Sequence, residues 1–278
     1  PEEYVLTAEQ IPAPKPIQFR SRLSELKHQL VAGPEKRYYD LTEIGMGRVQ
    51  IAIFMSLLVV ALCGFTAYLY AADMVPQNRL RLMVFSQILA MMVSALLGCY
   101  VLMDGIADLF TGKFSLNTML VFSFILCCVD GVACLQQQRV PCCGAFSLMV
   151  LMTLWDTSLR RKTEMRQMDT MRRATTLNTL RPATEKLDGR QVLIRHDGQV
   201  EDFMDSYDQP TTPEKVLKWY SLAAILASIG VGVTGYFLLG LWRGIQIAAV
   251  TLLVCAPASM FLCLSRPKAL LQKRLQIP

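Results

Sequence analysis

The sequence predicts an all-α, polytopic membrane protein with six transmembrane helices and a small cytoplasmic insertion of β character. Three observations predict it. Of the 278 residues, 53% are hydrophobic and only 18% charged, whereas a soluble domain carries about 25% charge. The apolar residues gather into long runs separated by polar segments. Lys and Arg are shared very unequally among those segments.

The runs are Val49–Ala72, Leu82–Leu102, Leu116–Leu135, Val140–Trp155, Leu217–Leu239 and Gly244–Leu264. A bilayer core of about 30 Å needs around 20 apolar residues rising 1.5 Å each. Five runs reach that length. Val140–Trp155 is short, and its helix is expected to continue into the polar stretch that follows. Backbone groups in hydrocarbon must be bonded within their own segment, so each span should be helical.

Charge sets the orientation. Seven Lys/Arg precede Val49, Lys113 follows the second run, twelve lie between Asp156 and Lys218, and Arg266, Lys268, Lys273 and Arg274 close the chain. The opposite side has only Arg79, Arg81, Arg139 and Arg243. A 24-to-4 split predicts cytoplasmic N- and C-termini in a cell (plasma) membrane protein. The net charge of +6 then reads as topology and attraction to anionic lipid. Nucleic acid is excluded as a partner, because no basic patch is interleaved with aromatics.

The expected organisation follows. Residues 1–48 form a cytoplasmic segment, 49–155 the first four spans, 156–216 a stalk and small insertion, 217–264 the last two spans, and 265–278 a cytoplasmic tail. Pro12–Pro16 is stiff and extended. Ile17–Leu30 spaces Phe19, Leu23, Leu26 and Leu30 as an amphipathic helix with a basic face, suited to a membrane surface or to another cytoplasmic domain. The first residue is Pro and no signal peptide opens the sequence, so the chain is expected to begin inside a longer gene product. After Trp155 no Gly or Pro interrupts the sequence until Pro182, which predicts a membrane helix prolonged as a stalk. Asp188-Gly189 and Asp197-Gly198 bracket Arg190–His196, the pattern of a short strand between tight turns.

The nine cysteines lie in or beside apolar runs and none in the long polar segments, so a disulfide framework is not expected. Small apolar packing residues are the first reading; a Cys/Met route for a soft metal is the second. His28 and His196 are far apart in sequence and suggest no metal site or triad. Asp104 falls at a helix end, and Asp130 near the outer end of the third run, where it could reach water.

The order of elements resembles the membrane domain of heavy-metal (copper/zinc class) P-type ATPases, over about residues 45–275. In that family a platform pair of helices precedes the core helices, and an actuator domain lies between the second and third of these. The stretch Val101–Phe124 is similar to the family's link between its second and third helices, with Gly105 at its glycine kink and Gly112, Asn117, Thr118 and Met119 at the start of the next span. Ala145–Pro182 resembles the stalk into the actuator domain, and Pro213–Val231 the return from it. Ala248–Leu271 resembles the family's Cys-Pro-Cys helix. Pro257 then matches the proline that unwinds the helix at the metal site, and Pro267 the downstream proline. The order here is Cys255-Ala256-Pro257, so a two-thiolate clamp cannot form from this motif alone.

The resemblance implies Cu(I) or Zn(II) as a transported ion, with Cys255, Cys263 and Met260 as first candidate ligands and Cys127 and Cys128 as weaker ones. The sequence contains no Asp-Lys-Thr-Gly-Thr run, no Thr-Gly-Glu in the insertion and no Gly-rich nucleotide loop, so no catalytic residue is named. Three readings follow. The first is a pseudo-ATPase core acting as a scaffold, subunit or regulator beside other protein subunits or domains in the bilayer. The second is the membrane portion of a genuine metal-transporting ATPase. The third is an unrelated six-helix transporter or assembly component, which should show neither a kinked second helix nor unwinding at Pro257.

Overall fold

The structure, a computed structural model, describes residues 34–43, 46–76, 79–112, 114–137, 139–173, 178–187, 190–197, 207 and 211–275. The amphipathic helix expected over Ile17–Leu30 lies outside the described residues. Two compact units are present: residues 1–40 with 168–208, and residues 41–167 with 209–278.

The smaller unit contains most of helix α1 (Pro34–Glu43) and a two-stranded antiparallel hairpin, β1 (Asn178–Leu187) with β2 (Arg190–Asp197). β2 holds the stretch bracketed by the two Asp-Gly pairs. The pairing runs from Asn178 opposite Asp197 to Leu187 opposite Arg190, and it is irregular between Pro182 and Lys186. Pro182 has no N–H to give to the ladder, which accounts for an irregularity there. In the same unit the Arg37 guanidinium lies 5.8 Å from the centre of the Tyr207 ring.

The larger unit is a helical bundle. Its helices are α2 (Met46–Ala71), α3 (Leu80–Leu97), α4 (Cys99–Phe110), α5 (Leu116–Gln137), the part of α6 (Cys143–Arg173) up to Gln167, α7 (Thr212–Leu239), α8 (Leu241–Cys255) and α9 (Ser265–Leu275). Among the described residues, five stretches are long and apolar enough to cross a bilayer: α2, α3, α5, α7 and the run Leu241–Arg274. The expected fourth span, Val140–Trp155, is not among them, because its apolar residues give way to Asp156, Arg160, Arg161 and Lys162 within the same helix.

Yet α6 supplies the centre of the core. Phe146, Val150 and Leu154 are completely buried and pack with Met91, Met119, Leu120, Ile225, Leu252 and Phe261. A helix packed largely against other helices does not need the uniform hydropathy that lipid demands. In contrast, α2 buries only Val49, Ser56 and Cys63, spaced seven apart along one narrow seam. The rest of its apolar surface, including Phe54, Phe65 and Tyr68, is exposed, as suits a helix that faces lipid.

Small residues bring the helices close. A Cβ on Gly98 would meet Val150 Cγ1 at 2.8 Å, and one on Gly131 would meet Ile88 Cγ1 at 3.1 Å and Cys143 Sγ at 4.0 Å. The second run breaks at Gly98, between α3 and α4. Gly105, which the resemblance placed at the kink, lies buried inside the continuous α4. Its function is contact: any Cβ there would run into the backbone carbonyl of Asn117 in α5. The connection is completed by Asp108, whose carboxylate accepts the Ser115 hydroxyl at 2.7 Å.

Candidate functional site

The last apolar run opens at one turn. α8 ends at Cys255, Ala256 takes φ −114° and ψ 64°, Pro257 is extended at φ −59° and ψ 141°, and a short 3-10 turn covers Ala258–Leu262 before α9 begins. Pro257 has no N–H for the carbonyl of Leu253, so the ladder must fail here. The Cys255 carbonyl is met from outside the helix: the Tyr220 hydroxyl of α7 donates to it at 2.6 Å. On the far side the Pro257 carbonyl accepts from Met260 N at 2.8 Å, and the Met260 carbonyl from Cys263 N at 3.2 Å. The break is therefore braced by a neighbouring side chain.

The candidate ligands are distributed unevenly around that break. Cys255 and Met260 are half-buried, while Pro257 and Cys263 are exposed. Among the described residues, no three His, Cys, Asp or Glu side chains group in a way that could hold a metal ion. Of the weaker candidates, Cys127 is fully buried and Cys128 half-buried. Asp104 is exposed on α4. Tyr220→Phe should leave the Cys255 carbonyl without its donor and cost about 1 kcal/mol. Thermal unfolding in detergent reads this, and an unchanged midpoint would mean that the brace is idle.

The sequence missed a second cluster, at the joint between α5 and α6. Asp130 does not reach water: it is completely buried and ion-paired with Arg139. Its other oxygen accepts from Cys142 N at 3.4 Å and lies 3.7 Å from Cys134 Sγ, while Arg139 Nε donates to Gln137 at 3.0 Å. Arg139 Nη1 is buried without a partner. The ion pair thus joins the end of α5, through Asp130 and Cys134, to the residues that lead into α6, through Arg139 and Cys142. Beside them a cavity of about 340 Å³ is lined by Cys63, Gln87 and Cys142 among apolar residues. Gln87 Nε2 donates to Thr66 at 3.1 Å, but its carbonyl oxygen has no partner. A signal existed: an acid near the end of one apolar run, with a lone cation across the short loop.

A third polar group ties α6 to α9 beyond the apolar part of α6. Asp156 pairs with Arg160 at 2.7 Å, and Ser265 lies beside its carboxyl, although Asp156 Oδ1 and the Ser265 hydroxyl both lack hydrogen-bond geometry. Seven residues further along each helix, Gln272 Nε2 donates to the Thr163 carbonyl at 3.1 Å. The equal step on both helices makes them parallel.

Burial pushes the Asp156 carboxyl above its ordinary value of 3.8, and Arg160, Ser265 and Lys268 only partly offset this. The folded state therefore holds this proton to higher pH than the unfolded state does. Stability falls as pH rises from the unfolded to the folded value and is level beyond it. Asp156→Asn should remove that slope, which unfolding midpoints between about pH 4 and 7 would detect. An unaltered slope would rule Asp156 out as its source.

Comparison with known proteins finds no matching family model, no matching curated protein and no matching solved structure.

Proposed function

We propose that this chain is a six-span membrane core similar to that of heavy-metal P-type ATPases, with both termini cytoplasmic in the plasma membrane. We propose further that it serves there as a pseudo-ATPase scaffold, subunit or regulator. One observation carries this reading. The last run is unwound at the proline where the family opens its ion site, but the Cys255 carbonyl at the end of α8 is taken by Tyr220, and the only cysteine in the motif is Cys255. A frame of this kind has kept the broken helix and filled the break from within.

Two features support the sixth crossing. α6 touches α5 beside Gly131 at its start and α3 beside Gly98 further on, and Arg161 reaches the Tyr100 ring at 5.9 Å. It thus travels alongside α3, in the same direction, through the thickness of the bundle. Charge asymmetry then sets both termini on the cytoplasmic side.

The second reading is the membrane portion of a metal-transporting ATPase moving Cu(I) or Zn(II), and the unwound turn itself favours it. The two separate cleanly. The protein as its gene encodes it, purified in detergent and given labelled ATP with Cu(I) or Zn(II), should form no acyl-phosphate under the scaffold reading. A metal-stimulated, hydroxylamine-sensitive phosphoenzyme would overturn the scaffold and establish the pump.

A further inference from the structure

We infer that α6, α7 and α9 together form a binding belt for anionic phospholipid headgroups at the face where Asp156, Tyr220 and Ser265 lie. Ser265 beside Asp156 and Gln272 on the Thr163 carbonyl run α9 alongside α6, and the Tyr220 hydroxyl on Cys255 sets the start of α7 beside the turn that leads into α9. The belt does not depend on the ATPase-like reading, because it follows from side chains and burial alone.

On α9 the buried side is formed by Ser265 and Gln272, which turn toward α6. The opposite side exposes Leu270 and Leu271 at 55% and 61%, with Arg266, Lys268, Lys273 and Arg274 also exposed around them. Two exposed leucines are poorly served by water. Four cations cannot sit in hydrocarbon. Only the boundary between acyl chains and headgroups suits both.

The neighbouring helices repeat the pattern. α7 opens with exposed Lys215, Lys218 and Trp219, and Trp219 is 76% exposed. On α6, Trp155 is 47% exposed immediately before Asp156 and the Arg160-Arg161-Lys162 run. Trp prefers the interface for its apolar ring and single polar N–H. Across residues 156–167, 212–220 and 265–275 the sequence has ten Lys/Arg against three Asp/Glu. One of those acids, Asp156, is already paired with Arg160, and another, Glu214, closes the N-terminal capping box of α7. The surplus positive charge at headgroup depth selects a phosphate that has lost its neutralising choline: phosphatidylglycerol or a similar anionic lipid.

The experiment reads tryptophan. The full chain carrying Trp242→Phe is placed in vesicles of phosphatidylcholine containing either brominated phosphatidylglycerol or brominated phosphatidylcholine, and quenching of Trp155 and Trp219 gives the relative binding constant. Phosphatidylglycerol should be preferred severalfold at low salt, and 1 M salt should abolish the preference. Each cation is worth about fivefold near a charged surface, so Arg266→Gln, Lys268→Gln, Lys273→Gln and Arg274→Gln together should erase it. Quenching by brominated phosphatidylcholine should persist in that variant and so report intact insertion. If the variant does not insert, the charge-keeping Arg266→Lys, Arg274→Lys protein carries the test and should retain the preference. Equal quenching by both lipids, loss of preference in the charge-keeping variant, or full competition by soluble glycerol phosphate would each overturn the belt.

Discussion

Arg139→Ala is expected to destabilise the protein by about 3–5 kcal/mol, because it leaves the carboxylate of Asp130 buried with no counter-charge. Asp130 is wholly inaccessible, and among the described residues its hydrogen-bond donors besides Arg139 are the Cys142 amide and the Cys134 thiol. Neither carries charge, so the loss cannot be absorbed locally. The paired change Asp130→Leu with Arg139→Leu should recover most of the stability, since an apolar pair of similar volume has no desolvation to repay. A double-mutant cycle on unfolding midpoints in detergent gives both numbers. If the single substitution costs less than about 1 kcal/mol, water reaches the pair and the burial is wrong.

Gly244→Leu should separate α7 from α8. A Cβ at Gly244 would lie 2.8 Å from Tyr236 N and 2.9 Å from the Gly232 carbonyl oxygen. Both are backbone atoms, which cannot rotate aside. The crossing is made of small residues on both helices: Ser228, Gly232 and Gly235 face Gly244 and Ala248, and the Ser228 hydroxyl donates to the Ala248 carbonyl at 2.8 Å. Close approach of this kind replaces the hydrophobic driving force that lipid removes. Overpacking of a tight contact costs about 1–3 kcal/mol, and a leucine against two backbones should reach the top of that range or beyond it. Gly230→Ala is the control. It lies on α7 with open space around it, so the substitution should gain up to about 1 kcal/mol from helix propensity. Cysteines introduced across the α7–α8 crossing should crosslink in the parent and fail to do so in the leucine variant.

Pro257 and Gly105 are legible in the sequence to different degrees. The Cys255-Ala256-Pro257 order is written in the chain, and a proline without an N–H must interrupt a helix wherever it falls inside one. The consequence at Tyr220, thirty-five residues earlier, could not be read, since hydroxyls on apolar helices have many neighbours to choose from. Gly105 illustrates the opposite failure. The resemblance puts a kink at this glycine, whereas the helix breaks at Gly98 and Gly105 is a contact with the Asn117 carbonyl. A missing Cβ permits a bend or a close approach equally well, and only the neighbour decides between them.

Apolar run length, scarce charge and the uneven spread of Lys/Arg along the chain are local or additive properties, so they specify a helical membrane protein without reference to packing. Which helix would stand at the centre is not additive. α6 has the weakest hydropathy of the expected spans and the most deeply buried side chains, because the other helices shield it from lipid. The same holds for Asp130: an acid near a helix end is exposed or buried according to what stands beside it, and Arg139 and the Cys142 amide are brought there by folding. Sequence periodicity measures how a residue meets its solvent; the structure decides whether that solvent is lipid or protein.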